Sequence, residues 1–97
     1  MLRRIKNFWT IKRSGLFDPF YYLMKYPDVR RADIDPLMHF VKFGWKEGRN
    51  PSDNFEVDYY LATYPDVEAS SINPLVHYIR HGRKYLRSIC TISNALA

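Results

Sequence analysis

The chain repeats itself. Slid along itself by 38 positions without a gap, residues 17–49 fall on residues 55–87, and fifteen of the 33 aligned pairs are identical. They include Phe17 with Phe55, Tyr22 with Tyr60, Leu23 with Leu61, the whole of Tyr26-Pro27-Asp28-Val29 with Tyr64-Pro65-Asp66-Val67, Leu37 with Leu75, and His39 with His77. A repeat of this length is one supersecondary unit that buries its apolar face by stacking on a neighbour, and a continuous core normally needs about three of them. Two copies therefore need further cover. The candidates are the N-terminal segment, the C-terminal tail, a second copy of the chain or a following domain.

Each copy reads as two helices and a corner, and the prolines exclude strands. The first helix opens at Asp18, a good N-cap, with Pro19 in the first position, where a missing N–H costs nothing. It stops before Pro27. Tyr22, Leu23 and Tyr26 make one apolar face, repeated as Tyr60, Leu61 and Tyr64. At the corner, Asp28 or Asp66 is expected to take up exposed backbone N–H groups and to start a short helical turn. The second helix has Asp35 or Asn73 at its N-cap, Pro36 or Pro74 next, and Gly44 or Gly82 just past its end as a helix stop. Leu37, Phe40 and Val41 form its stripe, answered by Leu75, Tyr78 and Ile79. With Phe17 and Phe55, these residues are the expected core. His39 and His77 fall on the flank, their rings expected to bond a backbone carbonyl. The expected fold is all-α: a basic amphipathic segment (1–16), repeat 1 with its Asn-Pro-Ser-Asp-Asn connector (17–54), repeat 2 (55–87) and a tail (88–97).

Charge is segregated. Residues 1–13 hold five basic residues and no acid; residues 14–79 hold six basic and ten acidic ones; residues 80–97 add four basic ones. Basic ends favour anionic partners. At 46% hydrophobic and 16% aromatic the chain is globular in composition. Its single cysteine, Cys90, excludes an intrachain disulfide and fits a reducing compartment. No apolar run approaches the ~20 residues of a membrane span. A cytoplasmic location is expected, with the inner face of the membrane as the refinement.

The run Phe-Asp-Pro-x-Tyr-Tyr-Leu-x-x-Tyr-Pro-Asp-Val, then Asp-Pro-Leu-x-His-Phe, then Gly-Trp-Lys-Glu-Gly-Arg-Asn-Pro-Ser, as it stands in residues 17–52, resembles a repeat of bacterial surface-polysaccharide proteins. There it commonly stands at the N-terminus of glycosyltransferases, including rhamnan-synthesis-type proteins; related repeats accompany some calcium-binding secreted proteins. The resemblance covers about residues 1–87. It implies an accessory helical module beside a sugar-transferring domain and not the transferase itself, with an adjoining glycosyltransferase domain or another protein as partner. The second copy departs from the pattern at Tyr85 and Leu86, which answer Glu47 and Gly48, and no catalytic domain is expected in residues 88–97. The alternative is the N-terminal piece of a longer glycosyltransferase.

No catalytic constellation emerges. Asp33-Ile34-Asp35 has the letters of a metal-binding acid pair, but its counterpart is Ser71-Ile72-Asn73 and Asp35 is already a helix cap. His77 and His81 have a zinc-compatible spacing that the first copy, with His39 and Phe43, lacks. Ser88, Thr91, Ser93 and Cys90 have no partners at motif spacing. The expectation is a non-enzyme without cofactor or metal.

Three binding readings follow. Leu2, Ile5, Phe8 and Trp9 gather on one side of the N-terminal segment, with Arg3, Arg4, Lys6, Lys12 and Arg13 around them, a pattern that suits an anionic membrane or a cap on the repeats. Phe20, Met24, Phe43 and Trp45, beside basic Arg49, form a candidate protein-partner surface. Arg80, Arg83, Lys84 and Arg87 with Tyr78 and Tyr85 place cations beside aromatics, but the first copy carries a similar corner, so nucleic acid is disfavoured.

Overall fold

A computed structural model describes residues 2–81 of the 97-residue chain. Gly82, the basic corner formed by Arg83, Lys84 and Arg87, the departures at Tyr85 and Leu86, and the tail 88–97 with Cys90 lie outside the described residues. The fold is all-α. In order come α1 (Leu2–Ser14), α2 (Pro19–Lys25), α3 (Pro27–Ala32), α4 (Pro36–Lys42), a 3₁₀ turn (Gly44–Glu47), α5 (Val57–Thr63), α6 (Pro65–Ala69) and α7 (Pro74–Arg80).

Side-chain capping sets the starts of α2, α4 and α7. The Asp18 carboxylate accepts the Tyr21 N–H at 3.0 Å, and Asp35 accepts that of Met38 at 2.9 Å. Asn73 Oδ1 accepts from Leu75 at 3.0 Å and from Val76 at 3.4 Å. The start of α5 differs. Glu56 makes no side-chain cap bond, and Val57, standing where the first copy has Pro19, has an N–H to satisfy. Asn50 Oδ1 takes it at 2.8 Å.

The structure corrects the two-helix description of each copy. The helical turn expected to start at the Tyr-Pro-Asp-Val corner is a third helix in its own right, α3 or α6, whose proline occupies the first turn. These short helices bury Val29 and Val67, each 1% exposed. Asp28 does not cap its own helix, because its carboxylate turns to Arg49 in a paired contact at 3.0 and 2.9 Å. Glu47 accepts from the Nε of the same guanidinium at 2.9 Å.

Gly44 does lie just past the end of α4, whose C-cap is Phe43, but its conformation is a second correction. It is not a left-handed helix stop, since the glycines with positive φ among the described residues are Gly15 and Gly48. Gly44 opens the 3₁₀ turn where the Tyr22 hydroxyl reaches the backbone, and a methyl on it would overlap that oxygen.

The expected core residues all lie in the buried cluster or pack against it. The cluster also takes Ile11, Val29, Val57, Val67 and Val76. Within each copy the last helix packs on the other two, and α1 lies against both α4 and α7. Thus the N-terminal helix is shared by the two copies. Ile11 is fully buried beneath it, Phe8 packs on the cluster, and the Arg80 guanidinium donates to the Thr10 hydroxyl at 3.5 Å. The connector is tied down rather than solvated. Pro51 and Ser52 are buried, the Pro51 carbonyl accepts the Asp18 N–H at 2.9 Å, and Asn50 N–H donates to the Tyr26 hydroxyl at 2.8 Å.

Candidate functional site

The repeated histidines are consumed by the fold. His39 Nδ1 pairs with the Tyr22 hydroxyl at 2.8 Å and His77 Nδ1 with that of Tyr60 at 2.5 Å. The partner is thus a tyrosine of the same copy, not the backbone carbonyl expected from sequence. A side chain meets this need because α2 and α5 hold their tyrosines against the helices that carry the histidines. Burial pushes both rings below the ordinary histidine value, helped by the Arg49 charge at His39 and by His81 at His77. Burial also raises the Tyr22 hydroxyl far above its usual range.

A pH dependence follows. Unfolded, both histidines protonate near pH 6.5; folded, they protonate at lower pH, so between the two values the unfolded state binds more protons. Their contribution to stability is complete above that pH and is lost as pH falls through the folded values. Asp28, held below its ordinary value by the Arg49 hydrogen bonds, loses its contribution only in a lower window. The melting temperature is therefore expected to decline between about pH 7 and pH 5, ahead of the carboxylates. A flat profile there would show that the histidines titrate as they do in the unfolded chain.

The other polar motifs have structural positions too. Asp33 closes α3 in the left-handed region at φ 57°, and Asp35 caps α4. Among the described residues no group of three or more His, Cys, Asp or Glu is placed to hold a metal ion. His77 and His81 do approach each other, with ring centroids 5.0 Å apart.

The partner-surface residues separate. Phe20 and Met24, one turn apart on α2, are 81% and 78% exposed, and Phe43 is half exposed. Trp45 is half-buried against the core, its indole N–H donating to the Val41 carbonyl at 3.1 Å. Arg49 is held by Asp28 and Glu47 and lies over the Tyr26 ring, 4.8 Å from its centroid. Trp45 and Arg49 therefore serve the first copy's own packing.

Helix α1 divides along its axis. Phe8 and Ile11 face the repeats, whereas Leu2, Ile5 and Trp9, at i, i+3 and i+7, are 76%, 47% and 48% exposed. Sequence placed Phe8 with the exposed three; packing against the last helices of both copies draws it inward. Lys6, Lys12 and Arg13 are exposed and flank the outer stripe. Arg3 and Arg4 line a cleft of about 660 Å³ together with Lys42, Lys46 and Trp45 of the first copy. Sequence reasoning missed this cleft, because its cations come from segments some forty residues apart. No described helix is long and apolar enough to cross a membrane. Compared with protein-family models, curated proteins and solved structures, the chain matches none.

Proposed function

We propose that this chain is a non-catalytic helical docking module that meets an anionic membrane surface through the outer face of α1. The observation that carries this reading is the exposure of Leu2, Ile5 and Trp9 in one stripe, with Lys6, Lys12 and Arg13 beside it and no acid anywhere on the helix. Apolar and indole groups rimmed by cations suit the headgroup boundary, where each basic residue contributes about 1 kcal/mol near an anionic surface. The inner face is occupied by the repeats, so docking requires no unfolding. The resemblance of the repeats extends the proposal to a role beside bacterial polysaccharide assembly, next to a glycosyltransferase domain.

A second reading rests on α2. Phe20 and Met24 are exposed in the first copy, and their counterparts Asp58 and Ala62 are not large apolar residues. An apolar pair confined to one copy suits a protein partner.

Co-sedimentation with vesicles of phosphatidylcholine, with and without phosphatidylglycerol, tests the membrane reading. Removing residues 1–13 is not a clean test, because it would delete buried Ile11. Ile5→Gln/Trp9→Gln alters only the outer stripe. Binding is expected to need the anionic lipid, to weaken at high salt and to fall several-fold in this variant. Phe20→Gln/Met24→Gln is expected to sediment as the parent does. No binding, or binding that survives the α1 changes, would reject the membrane reading and leave α2 as the docking face.

A further inference from the structure

The 660 Å³ cleft is lined by four cations. Arg3 and Arg4 approach from the start of α1, Lys42 from the end of α4 and Lys46 from the 3₁₀ turn, and no acid lines it. Neither of the two carboxylate contacts seen among the described residues involves these cations; both belong to Arg49. Trp45 makes a fixed wall, its indole N–H pinned to the Val41 carbonyl and the Lys46 ammonium 5.6 Å from the ring centroid. Asn73, only 2% exposed, also lines it.

Asn73 supplies the second observation. Its Oδ1 must face the backbone, where it accepts from Leu75 and Val76, so the amide cannot be turned round. That leaves Nδ2 buried with no hydrogen-bond partner. A buried donor left unpaired is costly, and a ligand oxygen would satisfy it once the side chains that cover Nδ2 part to admit it. The corresponding residue of the first copy is Asp35, an exposed cap with no donor. The repeat thus accepts aspartate at this cap; asparagine stands only where the cleft is.

We propose that this cleft binds a phosphate-type anion, a phosphomonoester or diphosphate group, with Asn73 Nδ2 donating to one oxygen and Arg3, Arg4, Lys42 and Lys46 neutralising the charge. Four cations suit a multiply charged group, and arginine forks match its tetrahedral oxygens. Asn73 also borders a smaller cleft of about 340 Å³ beside His77, Arg80 and His81. The anion is assigned to the larger one because that cleft joins cations from α1 and the first copy to a cap of the second. Of the outer stripe used for membrane docking only Leu2 borders this cleft; Ile5 and Trp9, the residues changed in the vesicle test, do not, so the two tests stay separable.

The test is a titration of the full isotope-labelled chain with inorganic pyrophosphate, read by NMR at the Asn73 side-chain amide and the Trp45 indole. A second arm uses short-chain phosphatidic acid below its micelle concentration. Saturable shifts at both probes are expected, with binding weakened about ten-fold or more in Asn73→Asp, which keeps the cap oxygen but replaces the donor by an acceptor. Lys42→Gln should weaken it too, by several-fold. Lys42→Gln should melt within a few degrees of the parent; Asn73→Asp buries a carboxylate and should melt lower, so its affinity is read below its own transition. Saturation by both ligands places recognition in the phosphate alone; saturation by the lipid alone would make the ligand a headgroup. Non-saturating shifts in both arms, or parental affinity in either variant, would overturn the proposal.

Discussion

Replacing Tyr60 with alanine is expected to destabilise the protein by about 3–5 kcal/mol, the cost of emptying a fully buried aromatic site. Tyr60 is 0% exposed, packed among Phe55, Tyr64, His77 and Tyr78 at ring-centroid distances of 5.4, 4.9, 5.7 and 6.3 Å. The substitution removes those contacts and the hydroxyl partner of His77 together. Total stability for a small domain is only about 5–15 kcal/mol, so most of the margin goes. Thermal denaturation should show a fall of roughly 12 °C or more, or no folded baseline at all. Tyr60→Phe keeps the ring and loses only the hydroxyl, at a cost of about 1 kcal/mol. If Tyr60→Ala melted within a few degrees of the parent, the tyrosine face could not be the core of the second copy.

Gly44→Ala should be the next most damaging change, at about 1–3 kcal/mol for overpacking a filled core. The cause is local: the added methyl collides with the Tyr22 hydroxyl, and its contact with the ring carbon bearing that hydroxyl, at 3.3 Å, is tight but tolerable. The collision is with one atom, which makes it reversible by a second change. Tyr22→Phe alone leaves His39 Nδ1 without its partner and should destabilise. Combined with Gly44→Ala it should cost less than the two single changes added together, because the offending oxygen is gone. Additive costs in a double-mutant cycle followed by chemical denaturation would mean that Gly44 is required for some other reason.

These two sites show how far the repeat could be read. Tyr22, Tyr60 and the Leu37 and Leu75 stripes were visible because helical spacing and duplication point to the same face. The caps at Asp18, Asp35 and Asn73 were visible because capping is a local exchange between a side chain and N–H groups two or three residues away. Gly44 was visible as a helix stop and turned out to be a packing glycine. Its neighbour in space is Tyr22, on another helix, and local sequence gives no sign of that. The same holds for the histidines and for Asp28, whose partners lie 17 and 21 residues away. Val29 and Val67 were identical in both copies, a signal of burial that the proline-led corner masked.

The candidate sites divide in the same way. The basic, aromatic character of residues 2–14 was plain, but which of its apolar residues are free depends on what the repeats cover. Packing against α4 and α7 took Phe8 and Ile11 and left Leu2, Ile5 and Trp9 outside. The cleft depends wholly on the fold.

By itself the sequence determined an all-α chain built on a duplicated helical unit, the capped starts of α2, α4 and α7 and most of its core, because propensity, capping and periodicity act over a few residues. Tertiary structure alone decided that α1 is shared by both copies, that each Tyr–His pair closes within its own copy, and that Arg3, Arg4, Lys42, Lys46 and Asn73 line one cleft. Those contacts join residues far apart in the chain, and such meetings are fixed by how the helices pack against one another.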